Sequence, residues 1–237
     1  MFKQRSSQKE LMDDLNLASD ALKQNLRELE MVNSYLGGYK VTLSALKKLK
    51  LRKDRKYRLI DIGSGAGDML KQMAKWANRN HLNIEFAGLD ANQFMIDYAA
   101  KSCSEFDNIS FLRKNIFEAN SEDLKADIVT MNLFCHHFSD KELSQIINLI
   151  SDSEANVIII NDLHRHPLAY YSIWFLTRLL NGSYLVQHDA PLSVKRAFKK
   201  NEIRKIFVNT SFKDVTIVWN WAFRWQVSAF KNKIGHF

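Results

Sequence analysis

Two groups of residues in this chain have types and spacings suited to chemistry. The first is Asp61-Ile62-Gly63-Ser64-Gly65-Ala66-Gly67, a D-x-G-x-G-x-G run. Glycines between a strand and a helix permit a tight turn and let a ligand approach the backbone closely. The next helix presents free N–H groups that favour negative charge. A dinucleotide loop of the G-x-G-x-x-G kind would need glycine at position 68, where Asp68 stands. A phosphate loop would need Gly-Lys followed by Ser or Thr, which the chain lacks. The second group is histidine: five of the seven fall at 136, 137, 164, 166 and 188. An imidazole with an ordinary pKa near ~6.5 suits proton removal from a hydroxyl. The candidate catalytic bases are His136 and His137, with His164 and His166 next, each weighed against a capping or packing role. His164-x-His166 with Asp162 offers metal-binding atoms, but no third well-spaced ligand group stands out, so no metal is expected.

These residues need elements to place them. Leu22, Leu26 and Leu29 keep helical spacing up to a stop at Gly37-Gly38, and Leu43, Leu46 and Leu49 suggest a second short helix. A strand over Tyr57–Ile62 leads into the glycine run, and Leu70, Met73, Ala74 and Ala77 mark one face of the next helix. Ile84–Leu89 reads as a strand covered on both faces. A helix from about Asn92 and short strands near Ile109–Leu112 and Ile128–Met131 come next. Ser139 with Glu142 forms a capping box opening a helix that carries Leu143, Ile146, Ile147 and Ile150. Val157–Ile160 is a fifth buried strand. Strands alternating with helices predict an α/β fold with a parallel sheet and crossover connections. In such sheets the ligand lies beyond the carboxyl ends of the strands, which here carry Asn132–Phe138 and Asp162–His166.

The remainder departs from alternation. An insertion spans about 167–197, with a helix over Leu168–Leu180 that is apolar nearly all round, expected as a buried lid helix or one face of a homodimer, with contact to a lipophilic substrate or a membrane surface as the alternative. A helix near Asn201–Val208 and an antiparallel pair, Val215–Trp219 and Phe223–Phe230, close the chain. The division expected is an N-terminal helical lid over 1–52 and one domain over 53–237.

Bulk composition fits one globular α/β domain: 237 residues, 46% hydrophobic and 25% charged. With only Cys103 and Cys135, a disulfide scaffold or structural zinc site is not expected, and a cytoplasmic location is. The start, Met1-Phe2-Lys3-Gln4-Arg5, lacks the apolar core of a signal peptide, and no run is long enough to span a bilayer. The net charge of +8 raises an anionic partner, but reads chiefly as solvated faces around Lys47–Arg58 and Lys195–Lys205.

The glycine loop and the segments after it resemble the class I S-adenosylmethionine-dependent methyltransferases, over about Tyr57–Ile160. The resemblance implies a doubly wound, mainly parallel seven-stranded sheet with an antiparallel C-terminal strand and N-terminal lid helices. It implies cofactor contacts from Asp61, Gly63, Ser64, Gly65 and Gly67, and from Asp90 and Ala91 at the ribose. Asn115 and Ile116 would flank the adenine; an Asp is usual where Asn115 stands. Asn132 and Leu133 would line the methionine end. Met131-Asn132-Leu133-Phe134-Cys135-His136-His137-Phe138 is similar to the strand-four region of small-molecule methyltransferases, including those of quinone biosynthesis. Val32–Gly38, Asp162–Tyr171 and Val186–Ser193 resemble bacterial enzymes of polyketide and phenolic pathways, which implies that the insertion and the first helices cover the cofactor.

The leading expectation is O-methylation of a small aromatic or lipophilic acceptor. Its rivals are C-methylation of a quinone-type ring, RNA methylation, and a non-catalytic S-adenosylmethionine-binding module. With only Pro167 and Pro191 in the chain, the Asn/Asp-Pro-Pro-aromatic motif of nucleic-acid enzymes cannot occur.

Overall fold

The computed structural model describes residues 2–14 and 20–231. Seven strands form one sheet: β1 (Lys56–Ile62), β2 (Asn83–Asp90), β3 (Ile109–Arg113), β4 (Ile128–Asn132), β5 (Val157–Leu163), β6 (Asp214–Asn220) and β7 (Arg224–Phe230). Their order is β3-β2-β1-β4-β5-β7-β6. The first five run parallel, and β7 is antiparallel to both β5 and β6. The order reverses between β1 and β4, the switch point at which a doubly wound sheet opens a crevice for ligand. The expected seven-stranded, mainly parallel fold is therefore the one observed.

Among the described residues, eight α-helices connect and cover the strands: α1 (Asp20–Tyr35), α2 (Gly38–Lys48), α3 (Asp68–Arg79), α4 (Gln93–Ser102), α5 (Asp140–Asp152), α6 (Pro167–Leu179), α7 (Tyr184–Arg196) and α8 (Lys200–Ile206). Strand alternation divides the core into two layers. Leu59, Phe86 and Ile159 pack with Leu46 of α2 and Leu70 and Met73 of α3 on one face. Ile60, Leu89 and Ile158 pack with Leu143 and Ile147 of α5 and Ile203 of α8 on the other. The Ser139–Glu142 capping box forms as the sequence predicts. Gly37 takes φ 72° between α1 and α2, the left-handed stop that glycine accepts without strain.

The helix expected over Leu168–Leu180 is present as α6, but it is not buried. Leu168, Tyr171, Phe175 and Leu179 are exposed, and within α6 only Ala169 and Thr177 are buried. The physical reason is that α6 packs chiefly along α7 and leaves its remaining circumference free. Other segments, α7 and the N-terminal residues, are tied to the turn that follows β4. Arg196, at the end of α7, donates to the carbonyls of Gln8, His136 and His137. Arg5 donates to those of His136, Phe138 and Arg196. Residues 2–14 thereby run across the carboxyl ends of the strands. No helix among the described residues is long and apolar enough to cross a membrane.

Candidate active site

A cavity of about 830 Å³ opens at the switch point, within the size range of small-molecule sites. Asp61, Gly63, Ser64, Gly65, Asp90, Ala91, Asn115, Ile116, Asn132 and Leu133 all line it, and so do His136 and His137.

The three loop glycines have different jobs. All take positive φ, 71° at Gly63, 50° at Gly65 and 74° at Gly67. A Cβ at Gly63 would lie 2.0 Å from Cδ2 of Phe134, so that glycine makes room for the phenyl ring. A Cβ at Gly67 would meet Phe111, Cys103 and Ala99, and Gly67 does not line the cavity. Its role is to start α3 in close packing with α4, a correction to the cofactor contact expected of it. At Gly65 a Cβ would meet nothing within 4 Å, so this is where the loop backbone faces open space. Gly63→Ala therefore combines a left-handed penalty of ~1–2 kcal/mol with overpacking of ~1–3 kcal/mol. The loss of unfolding free energy is expected to be clear by urea titration.

Asp90 ends β2 with its carboxylate facing the loop. Oδ2 accepts from the Gly65 N–H at 3.0 Å and Oδ1 from the Asn92 N–H at 3.0 Å. Burial raises its pKa, and these backbone donors oppose the rise. Each carboxylate oxygen has a further lone pair, so a ligand diol can still donate to both. The hydroxyl of Ser64 is buried in the cavity wall without a hydrogen-bond partner. An orphan hydroxyl, an open glycine and a carboxylate at the end of β2 fit a polar ligand such as a nucleoside that bears a ribose diol.

Asp61 and Asn132 are committed within the chain. Asp61 Oδ1 accepts from Thr130 Oγ1 at 2.6 Å and from Asn132 Nδ2 at 2.8 Å. Asn132 Oδ1 accepts from Thr42 Oγ1 at 2.5 Å, and Thr42 in turn accepts from Asn161 at 3.1 Å. The network ties the ends of β1, β4 and β5 to α2. Burial pushes the Asp61 carboxyl up to about 7, against the Thr130 and Asn132 hydrogen bonds.

Beyond Leu133, which turns the chain at φ 51°, three rings form an aromatic wall. Phe134 and Phe117 each stand edge-on to Phe138, with centroids 4.8 and 5.5 Å from it, and all three line the cavity. The next turn, Cys135–His137, presents both histidines. His136 Nδ1 lies 2.7 Å from Asp162 Oδ1, and His137 Nδ1 lies 2.5 Å from Asp13 Oδ1. Burial alone would raise Asp13 and Asp162; the neighbouring imidazoles hold both carboxyls below their usual value. The two imidazole rings have centroids 4.3 Å apart, and beside them lies Glu10, with Oε1 3.7 Å from His136 Nε2. It is only 4% exposed, and burial pushes its carboxyl up to about 7 against the charges of His137 and Arg196.

His164 and His166 do not reach this cavity. They line a shallower concavity with Phe2, Pro167 and Trp225. His166 caps α6 by accepting from the Leu168 N–H and stacks on Phe223. Burial lowers the His164 pKa. Asp162, considered beside them as a metal ligand, turns to His136 instead. The catalytic role expected of these two histidines loses its geometric basis.

Four groups were not picked out from sequence: Glu10, Asp13, Tyr39 and Arg224. Tyr39 donates to Asp68 at 2.7 Å. Arg224 is buried in the cavity wall, with Nη2 donating to Asn33 and with Nε and Nη1 lacking acceptors. Burial lowers its pKa to about 10. Nothing in the local sequence marks Tyr39 or Arg224, which reach the site from α2 and β7. Asp13 did carry one readable signal, an acid three residues after Glu10, the spacing of the capping box that these two residues form.

Residues 53–206 match the family described as a methyltransferase domain. The chain belongs to this family. By family it is a methyltransferase domain, and its fold is shared with methyltransferases solved with SAM or SAH. No curated protein matches it in sequence. Among solved structures, it is similar to the plantazolicin methyltransferase BpumL in complex with SAH, at 14% identity and TM-score 0.62, over 89% of this chain and 88% of that one. The magnesium protoporphyrin IX methyltransferase of Synechocystis PCC 6803 with bound SAM shares 14% identity at TM-score 0.53, over 93% and 89% of the two chains. The family 2 O-methyltransferase of Planctomyces limnophilus in complex with apigenin shares 11% identity at TM-score 0.62, over 92% and 63%. The methyltransferase spans only about half of the CurJ carbon methyltransferase, 54% of that chain.

Proposed function

We propose that this methyltransferase moves the methyl group of S-adenosylmethionine to a hydroxyl oxygen of a small aromatic or otherwise apolar metabolite. The observation that carries the reading is one cavity in which Gly65 and Asp90, the aromatic wall, and two carboxylate-backed histidines meet. The O-methyltransferase from Planctomyces limnophilus solved with apigenin lends it support by analogy of fold.

Asp90 would hold the ribose diol, with Gly65 close beneath and Ala91, Asn115 and Ile116 beside the adenine. Ser64 and Leu133 would border the methionine end, and Asp61 and Asn132 would hold the strand ends that shape it. The bound cofactor supplies an electrophilic methyl on a sulfonium. The protein's own work is then to orient the acceptor, exclude water and take a proton. Phe134 and Phe138 offer an apolar, edge-on surface for an aromatic acceptor. Asp13 fixes His137 through Nδ1, which leaves Nε2 as the proton-accepting nitrogen; Asp162 does the same for the more buried His136. Residues 1–52, with α1 and α2, would cover the cofactor as a lid.

Arg224 would take the carboxylate of the methionine moiety, the acceptor its two free N–H groups lack. Arg224→Met is expected to weaken S-adenosylhomocysteine binding by ~1.5–3 kcal/mol, the range for a charged hydrogen bond. It should leave binding of 5′-methylthioadenosine, which has no carboxylate, unchanged. Equal losses for both ligands in calorimetry would remove this assignment.

The function is tested by screening phenols, quinones and RNA for methyl acceptance from labelled S-adenosylmethionine, with mass spectrometry of the product. A methyl ether on a small phenol is the expected outcome. A methylated ring carbon would replace oxygen by carbon as the acceptor, and methylated RNA alone would overturn the small-molecule reading.

A further inference from the structure

The geometry points to a divalent-metal site formed by Glu10, His136 and His137, for which we infer Zn²⁺ as the expected occupant. One ring nitrogen of each histidine and a carboxylate oxygen of Glu10 lie within 4.8 Å of one another. His136 Nε2 is 3.7 Å from Glu10 Oε1. Two ligands on a tetrahedral Zn²⁺ with bonds of about 2.0–2.1 Å stand roughly 3.4 Å apart, so this pair needs little movement to share an ion. Glu10 Oε1 is buried and accepts no hydrogen bond. A buried carboxylate oxygen without a donor is costly, and a cation between it and two imidazoles removes that cost.

The surroundings match what metal-binding histidines require. Their remaining ring nitrogen is commonly held by a carboxylate, which fixes the tautomer and aims the ligand lone pair. Here both are: His136 Nδ1 by Asp162 and His137 Nδ1 by Asp13. The two carboxylates are anchored in turn. Asp162 Oδ2 accepts from the His136 N–H at 3.1 Å, and Asp13 Oδ2 accepts from Arg196 Nη1 at 2.6 Å and from the Glu10 N–H at 2.9 Å. Glu10, Asp13 and Asp162 bring three carboxyl groups to the cluster, and Arg196 lies 3.7 Å from Glu10 Oε1.

Two histidines and one carboxylate leave a coordination position free, as in catalytic rather than structural zinc sites. His136 and His137 line the cavity while Glu10 does not, so water or a hydroxyl oxygen of the acceptor would reach that position from the side of the two histidines. An ion-bound hydroxyl sheds its proton to solvent more readily. In the metal-free protein the imidazoles take the proton as proposed above; with the ion bound they would be its ligands. This link to methyl transfer rests on the proposed function; the binding of the ion does not.

The test is calorimetric titration of chelator-treated, dialysed full-length protein with Zn²⁺, alongside Co²⁺ titration read by visible absorption. The wild type, Glu10→Gln, His137→Gln, Asp13→Asn and His166→Gln are compared, each with S-adenosylhomocysteine binding measured in parallel. One Zn²⁺ per wild-type chain is expected. Asp13→Asn should weaken binding by about 10–100-fold, Glu10→Gln and His137→Gln by more, and His166→Gln should not change it. Absence of Zn²⁺ binding by folded wild type that still binds S-adenosylhomocysteine would overturn the metal site and spare the methyltransferase reading. Full Zn²⁺ affinity in both Glu10→Gln and His137→Gln would place the ion elsewhere and overturn it as well.

Discussion

His137→Ala is expected to lower turnover with the cognate phenol by ~10²–10⁴-fold, the usual contribution of a positioned acid–base group, and to leave S-adenosylhomocysteine affinity unchanged. The expectation rests on position. His137 borders the cavity beyond the aromatic wall, and Asp13 fixes its ring from behind at 2.5 Å. Asp13→Asn keeps the shape but removes the negative charge that orients the ring, so its loss of turnover should be smaller. A raised KM with unaltered kcat in both variants would mean that the pair only holds the substrate. The same variants separate His137 from His136, whose Nδ1 is held by Asp162 and which is 3% exposed.

Asp90→Ala is expected to weaken S-adenosylmethionine by roughly 1–3 kcal/mol or more. Loss of the charged hydrogen bonds to the ribose accounts for that range. A second effect adds to it, because Asp90 also receives the Gly65 and Asn92 N–H groups. Removing the carboxylate frees the loop from the end of β2, so the site is no longer held in its binding shape. Asp90→Asn retains one acceptor oxygen and should fall between the two. Calorimetry on the three proteins checks the ranking; equal affinities would refute the ribose assignment.

Much of this fold is legible in the chain because its signals are local. Leu59 and Ile60 alternate between two covered faces, and Ser139 with Glu142 announces α5 within four residues. The glycine loop is legible for the same reason: its spacing excludes other nucleotide loops and its helix begins at once. Local signals also mislead where a residue's neighbour is distant. Gly67 looks like a ligand-facing glycine, yet Phe111 and Cys103 occupy the space beside it. His164 and His166 stand at the end of β5 like site residues, but His166 turns away to cap α6. The apolar length of α6 predicts burial, and only the packing of α7 decides that most of it stays exposed.

The residues that sequence reading missed reach the site from far along the chain. Glu10 and Asp13 reach the histidines across more than a hundred residues of sequence, and Arg224 arrives on β7, beside the end of β5. Glu10 and Asp13 are held there by a segment whose Arg5, with Arg196, binds backbone carbonyls, contacts that no motif encodes.

The central claim is that S-adenosylmethionine binds where Gly65 opens into the cavity. It is tested most directly by calorimetric titration of the wild type and Gly65→Val with S-adenosylhomocysteine, with thermal unfolding confirming that both are folded. Micromolar binding by the wild type and none by Gly65→Val is the predicted result, because the added side chain would enter the space the loop leaves for a ligand. No binding by folded wild type, or equal binding by the two, would contradict it.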